Sequence, residues 1–159
     1  MTTIRLELII VILFSALFSG MEIAFVSSNK LLLGIDLNER STTSYIINKF
    51  YTNSNNFISS LLVGNNIVLV IYGMLMAELL NATILKNFGD ANSLLLETII
   101  STIIIILTGE FVPKALFRIN PNRSLKRFAV FIYPLYILLY PLARFTTLCS
   151  TFLLRLLNI

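Results

Sequence analysis

Apolar and polar positions are segregated into long blocks along this chain. Leu8–Met21 carries no charge and runs on past Glu22 to Asn29, Phe57–Ala77 carries none, and Leu94–Val112 holds Glu97 and Glu110 near its two ends. At about 1.5 Å of rise per residue, helices of this size reach across a hydrocarbon core of about 30 Å. The pattern predicts membrane-spanning helices over roughly 6–29, 57–78 and 94–112. A cleaved leader competes for the first block, because Arg5 precedes it. The block is too long for a leader, Glu22 follows directly, and no small-x-small site opens into a polar start, so the helix is expected to stay.

A fourth apolar stretch, Phe128–Leu154, contains Pro134, Pro141 and, near its middle, Arg144. An arginine at bilayer centre costs about 2.5–3.5 kcal/mol or more, and prolines interrupt the helical ladder. Arg123, Lys126 and Arg127, followed by Phe128, Phe131, Tyr133, Tyr136 and Tyr140, suit helices lying at an interface. The segment 121–158 is therefore read as amphipathic juxtamembrane helices that lie on the membrane. The expected fold is all-α and integral to the membrane, one domain over 1–159. It has three spans, a helical hairpin at 30–56 between the first two, and the juxtamembrane helices.

Charge sets the sidedness. The 30–56 segment carries Lys30, Arg40 and Lys49 against Asp36 and Glu39, residues 78–97 carry Lys86 against Glu78, Asp90 and Glu97, and residues 113–159 hold seven basic side chains and no acid. Lysine and arginine mark the cytoplasmic side. Hairpin and tail are placed there, with the N-terminus outside, in a bacterial inner or plasma membrane. In the hairpin, Asn29 is expected to cap a helix over Leu31–Asn38, and Ser41 or Thr42 a second one ending before Asn53. Leu31, Leu32, Ile35, Tyr45, Ile46 and Phe50 would turn one apolar side to the spans.

Composition agrees with a membrane domain. Of 159 residues, 57% are apolar and 13% charged, against about 45–50% and about 25% in soluble globules. There is no histidine and a single cysteine, Cys149, read as a packing residue. That removes a disulfide framework, a Cys/His zinc site and a Ser-His-Asp triad, and an intramembrane hydrolase finds no base to activate a nucleophile. No enzyme is expected. The net charge of +4 invites a nucleic-acid reading, but the bases sit beside apolar blocks, so the partner is the lipid membrane and no nucleic acid.

What the bilayer penalises is where function is to be sought. Ser15, Ser19 and Glu22 share one face of the first helix, beside a stripe of Ala16, Gly20 and Ala24 that would admit another helix closely. Gly64-Asn65-Asn66 breaks the second apolar block. In the third, Thr108-Gly109-Glu110 precedes Pro113-Lys114, and Pro113 cannot donate to the carbonyl of Gly109. Helix rise places these groups in the inner half of the membrane together. Hydroxyls, amide oxygens, a carboxylate and a freed carbonyl form an oxygen-only set suited to Mg²⁺, Ca²⁺ or Na⁺. A plainer reading competes at each position: back-bonding for Ser15 and Ser19, helix glue for Asn65 and Asn66, and pairing of Glu110 with Lys114 or a similar escape for Glu22. Three helices alone make a poor conduit, so a second subunit is expected.

The residues also carry a resemblance. Phe18-Ser19-Gly20-Met21-Glu22-Ile23-Ala24, Leu62-Val63-Gly64-Asn65-Asn66-Ile67 and Gly109-Glu110-Phe111-Val112-Pro113-Lys114, with Asn120-Pro121 after them, resemble in order and spacing the signatures of the cyclin-M/CorC family of membrane magnesium transporters. The resemblance implies a homodimeric transmembrane domain, a largely dehydrated Mg²⁺ held within the membrane, and its Na⁺-coupled export. It assigns ion binding to Ser19, to Asn65 or Asn66, to the backbone of Gly109 and to Glu110. Glu22 follows less directly, with Ser15 and Thr108 as supporting residues. Relatives usually continue into cytoplasmic CBS domains, absent from this chain, which is read as an isolated membrane domain or a short homologue. The rival function is a membrane scaffold, of the kind found with gliding-motility machinery, in which any ion is structural.

Overall fold

The structure is a computed structural model and describes residues 2–29, 41–83 and 90–156. Helix α1 spans Thr2–Ser27, α2 Thr42–Thr52, α3 Ser54–Thr83 and α4 Asp90–Ile105. A π-helical segment, Ile106–Phe111, joins α4 to α5, Val112–Ile119, and α6 covers Pro121–Leu156. Among the described residues every regular element is helical. Four stretches are long and apolar enough to cross a membrane: Thr3–Ser27, Ser54–Leu80, Leu94–Ile119 and Pro121–Phe152.

Helix α2 forms where the hairpin's second helix is predicted. Ser41, in an extended conformation, accepts a bond from the Ser44 amide and caps it. Its packed face is Ile46, Ile47 and Phe50, while Tyr45 is 66% exposed, so the predicted apolar side is rotated away from Tyr45. The predicted helix at 31–38, with Leu31, Leu32 and Ile35, lies outside the described residues. Only Asn53 separates α2 from α3, and the Phe57 amide donates to the Asn53 carbonyl at 2.9 Å, so Ser54–Asn56 belong to the spanning helix and not to the hairpin. The third helix likewise runs past its expected end at 112. Ile105, Phe111 and Val112 keep right-handed helical dihedrals, and α4, the π segment and α5 make one rod from Asp90 to Ile119.

The C-terminal segment corrects one expectation: it is one helix, not several, and by length and apolarity it is also a fourth candidate span. Pro134 and Pro141 are seven residues apart and both exposed, so the bonds they omit lie on the outer side. Leu125, Ala129, Ile132, Tyr136 and Ala143 meanwhile carry a continuous buried face. Packing on that face holds the helix through both prolines. Arg144 and Cys149 are exposed, the latter against its reading as a packing residue.

Two apolar clusters order the bundle. At the end that carries α2, Phe25, Phe50, Phe57 and Tyr136 pack together with Phe18, Met21, Leu61 and Leu125. Phe50 stacks on Phe57 at 4.0 Å, and Tyr136 meets both edge-on at 5.6 Å. At the far end a smaller cluster of Leu8, Tyr72, Met76, Leu80 and Ile105 joins α1, α3 and α4, with the Tyr72 hydroxyl donating to the Ser101 carbonyl at 2.9 Å. Helix α6 meets α3 through Tyr136 on Phe57, Leu139 at Gly64, and Thr147 at Ser59 and Asn56. The advance from Tyr136 to Thr147 is ~16 Å, yet the partners on α3 do not advance with it. The two helices therefore cross and do not run side by side.

Candidate functional site

Between the two clusters, three segments bring polar groups together. Ser15 and Ser19 are both buried on α1, one turn apart. The Ser15 hydroxyl donates to Asn65 Oδ1 on α3 at 2.9 Å and lies 3.4 Å from the Gly109 carbonyl oxygen in the π segment. One hydroxyl thus ties together the three segments that carry the sequence motifs.

The π segment has a local cause. Pro113 has no amide hydrogen, so the Gly109 carbonyl cannot receive the ordinary bond from four residues on. The wider turn lets the Val112 amide reach back to the Leu107 carbonyl instead. The Gly109 oxygen remains turned toward Ser15. Glycine eases the close approach there: a Cβ at 109 would lie 3.0 Å from Ser15 Oγ and 2.6 Å from Ile105 Cδ1, and both would have to shift. π bulges inside α-helices gather at functional sites, which agrees with this placement.

Ser19 is 1% exposed, and its hydroxyl has no hydrogen-bond partner among the described residues. The back-bonding that competed with ion binding at this position is not made. A buried hydroxyl without a partner costs about 1–3 kcal/mol, so the position is at a disadvantage until something supplies a partner. Glu22, one turn further, forms an ion pair with Lys114 at 3.6 Å. Lys114 thus serves Glu22, where the competing sequence reading paired it with Glu110. Glu110 is partly buried, with no ion pair and no hydrogen bond to Ser15, Ser19 or Asn65 among the described residues.

The remaining expected residues stand apart. Asn66 is exposed on another side of α3, in a groove of about 600 Å³ shared with Asn55, Ser59, Thr146, Thr147 and Ser150. The alternative between the two amides is resolved in position: Asn65 meets Ser15, and Asn66 does not. The Thr108 hydroxyl donates back to the Ile104 carbonyl at 2.6 Å and is exposed. The small-residue stripe admits α5 closely, and its Phe117 sits where a Cβ on Gly20 would come within 2.7 Å. Ser15 is more central than its supporting role in the sequence reading, and its spacing of four from Ser19 was the available signal. No cluster of three carboxylate, cysteine or histidine side chains occurs among the described residues. The donor set is mostly neutral oxygen.

Comparison with known proteins agrees with the motifs. A family profile described as the Cyclin M transmembrane N-terminal domain matches residues 6–159. The UPF0053 protein MG146 homolog of Mycoplasma pneumoniae is 34% identical over 110 residues, covering 69% of this chain and 25% of that protein. The UPF0053 protein MG146 of Mycoplasma genitalium is 29% identical over 152 residues, 93% of this chain and 35% of that protein. The UPF0053 inner membrane protein YfjD of Escherichia coli is 26% identical over 145 residues, 91% and 33% respectively. The chain thus spans a quarter to about a third of the length of these curated relatives.

Proposed function

The chain belongs to the cyclin M transmembrane family and is a multi-pass membrane protein, and from that premise we propose that it carries Mg²⁺ across the membrane at the cluster around Ser15. The supporting observation is the Ser19 hydroxyl, buried without a partner one turn from the Ser15–Asn65–Gly109 junction. The donors are Ser19, Asn65 Oδ1, the Gly109 carbonyl and the Glu110 carboxylate, with Ser15 positioning Asn65 and Gly109. Oxygen donors of this kind suit a hard cation. A single carboxylate offsets half of its charge. Na⁺ would satisfy the same oxygens with one charge, and competition between the two ions provides a coupling for outward Mg²⁺ movement. The protein acts as a homodimer and not as an enzyme. The lysine and arginine bias sets hairpin and C-terminus in the cytoplasm, and α6, which crosses α3, lies inclined along that face.

The test is titration calorimetry with Mg²⁺ on the purified protein, followed by Mg²⁺ flux from proteoliposomes under a Na⁺ gradient. Glu110→Ala and Ser19→Ala should each lose Mg²⁺ affinity, whereas Asn66→Ala should retain it. Binding unaffected by Glu110→Ala removes Glu110 from the site. Binding without Na⁺-dependent flux favours the scaffold reading, in which the Ser15–Asn65 bond is helix glue and any ion is structural.

A further inference from the structure

The flank of the bundle where α1, α5 and α6 meet holds a pocket of about 370 Å³, lined by Leu13, Ala16, Leu17, Phe117, Phe128 and Phe131. Its wall is well fixed. Phe117 rests on Gly20 and stacks on Phe128 at 5.1 Å, while Phe131, at the mouth, is 67% exposed. None of the six side chains offers a hydrogen bond, and a water molecule needs two to four polar partners to occupy a cavity. The volume falls in the range of pockets that take small ligands. In a membrane-spanning chain, the apolar matter available to such a flank is an acyl chain.

A second observation concerns charge. Arg127 precedes Phe131 by four residues and shares its exposed face, and Arg118 follows Phe117 directly; both arginines are exposed. Neither has an ion pair among the described residues. From Phe111 to the end of the chain there are seven basic residues and no acid. An apolar slot whose lining residues are followed or preceded in the chain by exposed arginines complements a lipid whose headgroup is negative, and the guanidinium fork is suited to a phosphate. We propose that this pocket binds one acyl chain of an anionic phospholipid whose phosphate is held by Arg118 and Arg127. Its occupant touches Phe117, at the end of the rod that carries Gly109 and Glu110. The inference stands independently of which ion the protein moves.

The chain has no tryptophan, so Phe131→Trp introduces a single reporter at the mouth of the pocket. The protein is placed in phosphatidylcholine vesicles that contain a small fraction of acyl-brominated phosphatidylglycerol or, at the same fraction, brominated phosphatidylcholine. Brominated phosphatidylglycerol should quench the reporter more strongly, with a local enrichment of roughly fivefold per arginine. Arg118→Gln with Arg127→Gln should abolish the preference, and the matching lysine pair should keep most of it. A reporter at Met74→Trp, an exposed position on α3, should quench equally with both lipids. Equal quenching at 131, a preference that survives loss of both arginines, or no quenching by either lipid (as when a second copy covers the pocket) overturns the proposal.

Discussion

Gly64 and Gly73 lie on the same helix, two and a half turns apart, in different surroundings. A Cβ at Gly64 would come within 2.7 Å of the Phe18 ring and 2.8 Å of Leu139; a Cβ at Gly73 would meet nothing within 4 Å. The contrast extends to the whole bundle. The hairpin end holds the larger core, with Phe50, Phe57, Met21 and Ile47 fully enclosed, while the far cluster of Leu8, Tyr72, Met76, Leu80 and Ile105 encloses none of its residues completely. Apolar exposure carries no penalty in lipid, so the far half needs less protein around it. The polar cluster lies at the border between these two regimes. There the π turns of the third rod present the Gly109 carbonyl to Ser15, which also meets Asn65.

Truncation should test this asymmetry most severely at the aromatic centre. Phe57→Ala removes a ring in contact with Phe25, Phe50 and Tyr136, and is expected to cost about 3–5 kcal/mol. The far-end counterpart, Met76→Ala, should fall nearer 2 kcal/mol, the lower end for such truncations. Thermal unfolding in detergent, with ligand absent, compares the two, and equal losses would remove the distinction between the ends. The glycine pair sharpens the same point. Gly64→Ala should lose about 1–3 kcal/mol by overpacking, whereas Gly73→Ala should be neutral or gain up to ~1 kcal/mol from helix propensity. A loss at Gly73 would mean that a partner covers the far half.

A third substitution probes the border. Gly109→Ala places a methyl group against Ser15 Oγ and Ile105. Ile105 can yield at its flexible end, and Ser15 Oγ, at 3.0 Å from the new methyl group, must shift by a few tenths of an ångström while it holds Asn65. The proposed site should then lose about tenfold in Mg²⁺ affinity, with a smaller change in unfolding temperature than Gly64→Ala gives. An unaltered affinity would show that the Gly109 carbonyl and Ser15 do not help to form the site.

Much of this was legible from residue spacing alone. The three apolar blocks, the serines on one face of α1 and the Gly109-to-Pro113 break are patterns in which a single helix or a single proline determines the outcome. Three other features depend on packing. Asn65 and Asn66 point about 100° apart, and α3 is too evenly apolar around its circumference to reveal its rotation. The prolines of α6 argued for separate pieces, because their effect depends on whether the omitted bonds face outward. Lys114 had two carboxylates within reach, Glu22 and Glu110, and sequence distance favoured the wrong one. The longer path across the bundle was shorter in space.

The smallest effect concerns the joint between hairpin and α6, which belongs to the packed end but is made by a charge. Lys49 Nζ donates to the Tyr133 hydroxyl at 2.9 Å and lies 5.2 Å from the ring centroid. That hydrogen bond raises the lysine above its ordinary value of 10.5, against a smaller opposing effect of desolvation. A group raised on folding binds its proton more tightly in the native state, so its contribution is complete below about 10.5 and fades as pH climbs through the higher folded value. Lys49→Met should therefore unfold slightly sooner than the native protein at neutral pH, and the difference should close as pH rises past that range. Thermal unfolding of both proteins across the alkaline limb measures it. A gap that stays constant with pH would assign the joint to the stem of the lysine packed on Tyr133, and would make the hairpin end an apolar assembly throughout.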